Sequence, residues 1–308
     1  MHFTLRQLEV FASIARQQSV SRAAESLSLS QSATSTSLAE LERQSGCQLF
    51  DRAGKRLWLN AVGQQLLPQV VALLDQAKAI EDLLAGKTGF GSLNVGATLT
   101  VGNYLATQLI GSFMQRHPEC RVSLHVHNTA HIVRQVAQHE LDLGLIEGNC
   151  QHADIEVLPW VEDELVVFCA PHHPLARQGT ARIEDLVDEA WILREQGSGT
   201  RLTFDQAMRH RPAKLNIRLE LEHTEAIKRA VESGLGISCI SRLALRDAFR
   251  RGSLVPIETP ELDLRRSFSF VWHRGKYHSA AMRRFIDDCR TFTGGARRSE
   301  EIALPPVA

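Results

Sequence analysis

The seven residues GKTGFGS, Gly86 to Ser92, divide the chain into two stretches that obey different periods, and this division constrains the fold more than any other feature. Before it, apolar residues recur every three or four positions. After it, strand-like runs alternate with helical ones. A chain of 308 residues split in this way reads as two or three compact units.

In the first stretch, Thr4 is placed as an N-cap, and Leu5, Leu8, Phe11, Ala12 and Ala15 form the stripe of an amphipathic helix. A polar break at 17–20 leads to a short second helix whose inner face is Ala23, Ala24 and Leu27, and Ser28 and Leu29 make a tight connection. The next segment is rich in hydroxyls, yet from Ser30 it keeps Ala33, Ser37, Leu38 and Leu41 on one side, while Gln31, Ser32, Ser35 and Thr36 fall on the other. Gly and Pro are absent from Gln17 to Ser45, so this is a third helix rather than a linker. Ser and Thr cost up to ~0.7 kcal/mol each relative to Ala inside a helix. A face that bears this cost asks for a function.

Beyond Gly46, a helix stop, LFDRAGKRLWLN reads as a hairpin with Gly54 at its tip and Arg52, Lys55 and Arg56 clustered near the turn. Asn60 then caps a long helix in which Leu66, Leu67, Val70, Val71, Leu74, Ala77, Ile80 and Leu84 recur. With no domain of its own to bury that stripe, the helix is expected to pair with a second copy. Three short helices followed by a basic hairpin match a winged helix-turn-helix. Its third helix would enter the major groove, where Gln31 can pair with adenine and Ser30, Ser32, Ser35 and Thr36 can reach bases or phosphates. Because the formal net charge of the whole chain is zero, any nucleic acid must be met by this small domain.

The second stretch carries the runs SLNVGAT, RVSLHVH, LDLGLIE, ELVVFCA, AWILRE, LNIRLELE, GISCIS and FSFVWH between helical segments. This implies an α/β architecture with largely parallel sheets, and more strands than one small sheet would hold, hence two lobes. The polar, Pro-ending tail after Gly294 reads as disordered. GATLTVGN and REQGSGTR each run from a strand end into a helix start, bringing Thr98, Thr100 and Asn103, and Ser198, Gly199, Thr200 and Arg201, beside free backbone N–H groups. Such a place holds an anion. Ordinary capping is the plainer reading of either segment alone.

Other chemistries find little support. The six cysteines form no C-x-x-C pair and have no His at ligand spacing, so reduced thiols are expected rather than zinc or disulfides. His125, His127 and His131 alternate on a strand and then leave it, which suits a surface or packed cluster better than a metal site. A nucleophile elbow around Ser198 is broken by Gln196 and Thr200, and neither a P-loop nor a dinucleotide fingerprint is present. An enzyme is not expected, nor any cofactor. The N-terminus lacks the uninterrupted apolar core of a signal peptide, and the uncharged run from Thr88 to Gln115 is interrupted too often for a membrane span, so the expected location is the cytoplasm without membrane attachment.

Over about sixty residues the chain resembles the N-terminal domain of LysR-type transcriptional regulators: the Leu-x-x-Phe of the first helix, Ala23-Ala24, Ser-Gln-Ser-Ala-x-Ser at 30–35, Leu41-Glu42 and Leu49-Phe50-x-Arg52. The remainder resembles the family's two-lobed effector domain, which is similar to periplasmic binding proteins. Two departures stand out. Thr36 follows Ser35 where many members have a basic residue, shifting charge-driven contacts toward the wing, and Asn60 replaces Thr as the linker-helix cap. The resemblance implies a winged helix-turn-helix at 1–60, a linker and dimerisation helix at 61–90, an effector-binding domain at 91–295 and a tail at 296–308. It also implies an inverted-repeat promoter site in double-stranded DNA, a homodimer or homotetramer, and an effector held between the lobes; RNA polymerase is a candidate further partner. There the two helix starts would converge on one small anion.

Glu147 would point into the same cleft, where it could bond a protonated oxyanion, pair with Arg194 or Arg201, or receive an amino group. Within the family, MHFTLRQLEVFA, GNY at 102–104, EDELVVFCAP, WILREQGSGTR and EAIKRAVESGLGISCIS look like the YeiE-like, sulfite-responsive regulators, which implies sulfite as effector. The alternative is a cytosolic sensor of a carboxylate or amino-acid-like molecule whose N-terminal domain serves protein contacts.

Overall fold

A computed structural model describes residues 3–53, 56–84, 91–209 and 215–303, apart from the side chains of residues 52, 53, 82 and 83. Helices α1 (Leu5–Gln17), α2 (Val20–Ser26) and α3 (Gln31–Ser45) are followed by a hairpin of β1 (Phe50–Ala53) and β2 (Arg56–Leu59) and by the long helix α4 (Ala61–Leu84). Thr4 and Gln7 form a reciprocal capping box at α1, Ser19 and Ser30 accept from the first turns of α2 and α3, and Gly46 ends α3 at φ 67°. These caps set the angles at which the three helices close on Leu8, Phe11, Ile14, Leu38, Leu41 and Phe50.

Two details depart from the sequence expectation. In α3 the inward positions are Thr34, Leu38 and Leu41, while Ala33 is exposed; the Thr34 hydroxyl donates to Ser30 O at 3.0 Å, which lets a polar residue sit inside. The long helix also has a domain to bury against, because Leu67, Val70 and Val71 complete the core of the three helices. Among its described residues the large apolar side chains of Val62, Leu73, Ile80 and Leu84 are exposed. Asn60 caps α4 by accepting from Gly63 N at 2.9 Å.

The second half begins with β3 (Ser92–Ala97), which runs into one long helical stretch made of α5 (Leu99–Val101), a π-helical turn (Gly102–Ala106) and α6 (Thr107–Arg116). It continues with β4 (Arg121–Val126), α7 (Thr129–Ala137), β5 (Leu143–Glu147) and β6 (Ile155–Cys169). Then come α8 (Pro174–Gln178), α9 (Ile183–Val187), β7 (Ala190–Arg194), α10 (Gly199–Met208), β8 (Asn216–Leu221) and α11 (Thr224–Glu232). The chain closes with β9 (Ser238–Ser241), α12 (Arg242–Arg251), β10 (Val255–Ile257), β11 (Arg265–His273) and α13 (Ala280–Thr293).

Only part of this is parallel. β3 pairs in parallel with β4 and β5, and β7 with β8, but β6 and β11 run antiparallel to each other and to their other neighbours. The reason is geometric: β6 has 15 residues, pairs with β11 in one lobe and with β9 and β10 in the other, and so carries the chain between lobes. One lobe packs around Leu93, Phe113, Phe268 and Phe285, the other around Trp191, Phe204, Val167 and Ile257.

The segment after Gly294 is ordered as far as Ala303, contrary to the expected tail; residues 304–308 lie outside the described part. A 3-10 turn at Ser299–Glu301 is held because Ile302 fills the core of the first lobe and Ser299 donates to the buried Asp163 at 2.5 Å. The two halves of the chain are tied by Lys276, whose ammonium lies 2.7 Å from Asp75 of α4 and 2.6 Å from Asp142. Beside it, His139 and His273 stack at 4.0 Å.

Candidate functional site

The hydroxyl-rich helix presents its polar face outward. Gln31, Ser32, Ser35 and Thr36 are all exposed, while Ser30 is spent on the helix start, its hydroxyl accepting from Ala33 N at 3.1 Å and lying 3.0 Å from that of Ser32. Arg56 is exposed at the start of β2, whereas Lys55 and the Arg52 side chain lie outside the described residues. Short polar side chains on one helix and a cation on the adjacent hairpin form a surface that can read base edges and contact phosphate.

The second surface lies between the lobes. On one side β3 ends and α5 starts at Thr98, whose side chain makes no capping bond; Thr98 N donates to Leu145 O at 2.9 Å, which docks this helix start beside the end of β5. Thr98 and Thr100 are buried, and Asn103 stands exposed on a cavity of ≈ 390 Å³ also lined by Leu99, His127, His131, Glu222 and His223. From the π-helical turn, Tyr104 hydrogen-bonds Glu225 of α11, and Lys228 reaches the same phenol at 3.3 Å. Burial first and the Glu225 carboxylate second drive the Tyr104 pKa upward, so it acts as a neutral donor across the lobes.

On the other side, β7 ends at Arg194 and α10 starts from Ser198, whose buried hydroxyl has no hydrogen-bond partner among the described residues. Gly199 is required here because a Cβ would fall 2.0 Å from Glu147 O. That closeness brings α10 onto the end of β5. Thr129 Oγ1 accepts from Gly199 N at 3.1 Å, and Ala130 N donates to Gly197 O at 3.0 Å, so the lobes touch through these bonds.

Thr98, Gly199 and, through Arg266, Thr200 therefore lie around the end of β5 at Glu147, with Ser198 next to Gly199, but two expectations fail there. Arg201 does not face the cleft: it is held by Asp205 at 2.9 Å, Glu220 at 3.0 Å and Arg194 O at 2.9 Å, because two acidic side chains on its own lobe outcompete an open cavity. Glu147 pairs with neither Arg194 nor Arg201, since Arg194 forks onto Glu195 at 2.8 and 3.0 Å. Its partner is Arg266, a residue that the sequence did not single out.

Arg266 is the buried centre of the junction. Its Nη2 donates to Glu147 Oε2 at 2.8 Å, its Nε to Asp163 Oδ2 at 2.7 Å and its Nη1 to Thr200 Oγ1 at 2.9 Å. Burial opposes its charge, but the two carboxylates outweigh burial and raise its pKa. The other oxygen of Asp163 accepts from Ser241 at 2.7 Å and from Ser299 at 2.5 Å. One signal was available in the sequence: an Arg pair, Arg265-Arg266, opens a strand that is otherwise apolar or small. Among the described residues no group of three or more His, Cys, Asp or Glu is placed to hold a metal, and no helix is long and apolar enough to cross a membrane.

Comparison with known proteins follows this division. Residues 5–64 match the family described as "Bacterial regulatory helix-turn-helix protein, lysR family", and residues 86–293 match "LysR substrate binding domain". The uncharacterized HTH-type transcriptional regulator YeiE of Escherichia coli K12 is 44% identical over 289 residues, covering 94% of this chain and 98% of YeiE. The transcriptional activator CmpR of Synechocystis is 32% identical over 92% of this chain and 94% of its own. Among solved structures, the regulatory domain of Synechocystis CcmR in complex with 2-PG has a TM-score of 0.62 at 32% identity, covering 67% of this chain and 98% of that one. A full-length OxyR variant from Pseudomonas aeruginosa has a TM-score of 0.71 at 24% identity over 94% of both chains, a likeness of fold.

Proposed function

The chain belongs to the LysR family of bacterial transcriptional regulators, and from that premise we propose that it reads a promoter inverted repeat with α3 and the hairpin and answers to a small anion, sulfite, bound between its lobes. What supports the effector reading is that Thr98 N and Gly199 both lie against the end of β5, and that neither Thr98 nor Ser198 uses its side chain to cap its own helix. The Ser198 hydroxyl is unpartnered and the Thr98 hydroxyl makes only a long 3.5 Å bond to Leu145 O, so both can turn to an oxyanion at a helix start. Thr98, Thr100, Ser198, Gly199 and Thr200 are assigned to the anion, with Asn103 at the cavity mouth; Arg201 serves as a support for α10. Sulfite itself comes from the likeness to the YeiE-like regulators.

A second effector class has its own support. The cavity of ≈ 390 Å³ that Asn103 borders, lined also by His127, His131 and His223, has room for more than a bare oxyanion, and the CcmR neighbour is in complex with 2-PG, so a small organic acid is the competing ligand.

On the DNA side we assign Gln31, Ser32, Ser35 and Thr36 to base edges and nearby phosphates, with Ser30 shaping the helix start. Arg52, Lys55 and Arg56 are assigned to phosphates. The boundaries 1–60, 61–90 and 91–295 stand as the working domains, α4 as the dimer contact, RNA polymerase as a further partner, and the cytoplasm as the place of action.

Fluorescence polarisation on promoter duplexes across a salt series tests the first assignment. Gln31→Ala should cost about 1–3 kcal/mol on the specific site alone. Arg56→Ala should weaken all duplexes and lower the salt slope by about one. Absence of any duplex binding favours the sensor reading instead. Calorimetry with sulfite, sulfate and small carboxylates tests the effector; unchanged sulfite binding by both Thr98→Ala and Thr200→Ala overturns the helix-start assignment.

A further inference from the structure

We propose that binding of the anionic effector takes up one proton, with Arg266 as the guanidinium that meets the anion and Glu147 as the carboxylate that releases Arg266 and becomes protonated. The inference rests on the effector reading above and deepens it. Its basis is a count of charge in a dry place: one guanidinium faces two carboxylates, and the side chains of Arg266, Glu147 and Asp163 are 2%, 1% and 0% exposed. One guanidinium against two carboxylates leaves the cluster one charge negative when all three are ionised, so an arriving anion adds negative charge to it.

The two carboxylates are not equivalent. Asp163 accepts from the Ser241 and Ser299 hydroxyls as well as from Arg266 Nε. Among the described residues, the Glu147 carboxylate accepts from Arg266 alone. Glu147 is therefore the acid that loses least on protonation. Its position at the end of β5, with its own carbonyl against Gly199, also places it beside the start of α10, where the anion is expected.

The exchange balances. A solvent proton adds to Glu147, its ion pair with Arg266 Nη2 breaks, the freed N–H donates to the anion, and the new Glu147 O–H donates to the anion as well. Among the described residues the Cys239 thiol on β9 also faces Arg266, and burial keeps it protonated. His127, His131, His223, Glu195 and Glu222 line the cavity that Asn103 borders, and His131 also faces Arg134 at 2.9 Å; proton uptake there is the rival outcome.

Calorimetry on the full chain distinguishes them. Sulfite is titrated at a pH where free sulfite is fully deprotonated, in two buffers of different ionisation heat. One proton per bound sulfite is expected, with affinity falling about tenfold for each pH unit above the linked pKa. Glu147→Gln, whose neutral amide keeps a donor, should bind without proton uptake and with affinity flat in pH. An infrared difference spectrum of the wild-type chain provides a readout independent of the variant: a new protonated-carboxyl band on sulfite addition is expected. Binding without proton uptake, absence of that band, or uptake that persists in Glu147→Gln overturns the inference and leaves the effector reading in place. No sulfite binding by the wild-type chain at any pH overturns sulfite as effector, and this inference with it.

Discussion

Lys276 Nζ stands 2.7 Å from Asp75 Oδ2, so one ammonium from the turn after β11 fastens the long helix α4 to the effector-binding half. The lysine side chain is 7% exposed and also neutralises Asp142 at 2.6 Å, which itself accepts from Asn94 N. Lys276→Met should cost about 1–3 kcal/mol by leaving two carboxylates unpaired. Asp75→Asn, which removes only the half-exposed partner, should cost about 1 kcal/mol or less. Urea unfolding gives the magnitudes, and hydrogen exchange should show faster exchange in α4 for both variants.

The histidine stack beside this contact makes the protein acid-sensitive. Burial, aided by His273, Lys276 and Arg16, pushes His139 down to about 3 from an ordinary 6.5, and burial lowers His273 as well. Between those two values the unfolded chain binds the proton that folded His139 refuses, so stability is complete above the ordinary value and falls as pH drops below it. The slope should approach about 1.4 kcal/mol per pH unit for His139. His139 sits at φ 57°, which Asn tolerates, so His139→Asn should flatten the dependence. Urea titrations from about pH 7.5 to about pH 5 measure it.

Ser198 separates stability from binding. Its buried hydroxyl lacks a partner, so Ser198→Ala should leave the ligand-free protein unchanged or stabilise it by up to about 1 kcal/mol. The same change should weaken sulfite roughly tenfold, since a hydrogen bond to a charged ligand is lost. Thermal unfolding and calorimetry on one sample decide whether the two effects part in this way.

The exposed residues of α4 predict assembly. Leu73, Ile80 and Leu84 are 40%, 57% and 81% exposed, and they fall seven and four residues apart, the spacing of a coiled-coil seam. Ile80→Arg should convert the oligomer to monomer in light scattering and weaken binding to a two-half-site duplex far more than to a single half-site.

Much of this was legible in residue order. The helices of the first domain follow from their caps and apolar stripes, and the two helix starts at Thr98 and Ser198 follow from strand-end sequences that turn into helices there. What the order of residues concealed was pairing at a distance. Arg266 is 119 positions from Glu147 and 66 from Thr200, and nothing local marks a guanidinium as the partner of residues so remote. The first half of β6 escaped for a different reason: Pro159 and the acidic pair Glu162-Asp163 break the apolar alternation, yet the strand persists because β11 supplies its ladder. The ordered segment at 296–303 was hidden likewise, since Ser299 is polar by composition but buried by its bond to Asp163.

The ladder between β6 and β11 slips register between Phe268 and Ser269, leaving Trp160 unmatched, and Arg266 lies two residues away. β6 alone runs through both lobes, and a bulge of this kind leaves its ladder with β11 locally interrupted. An anion that loosens Glu147 from Arg266 would act beside that weak spot. A small change in charge could then be felt as a tilt of one lobe against the other, with no new surface created.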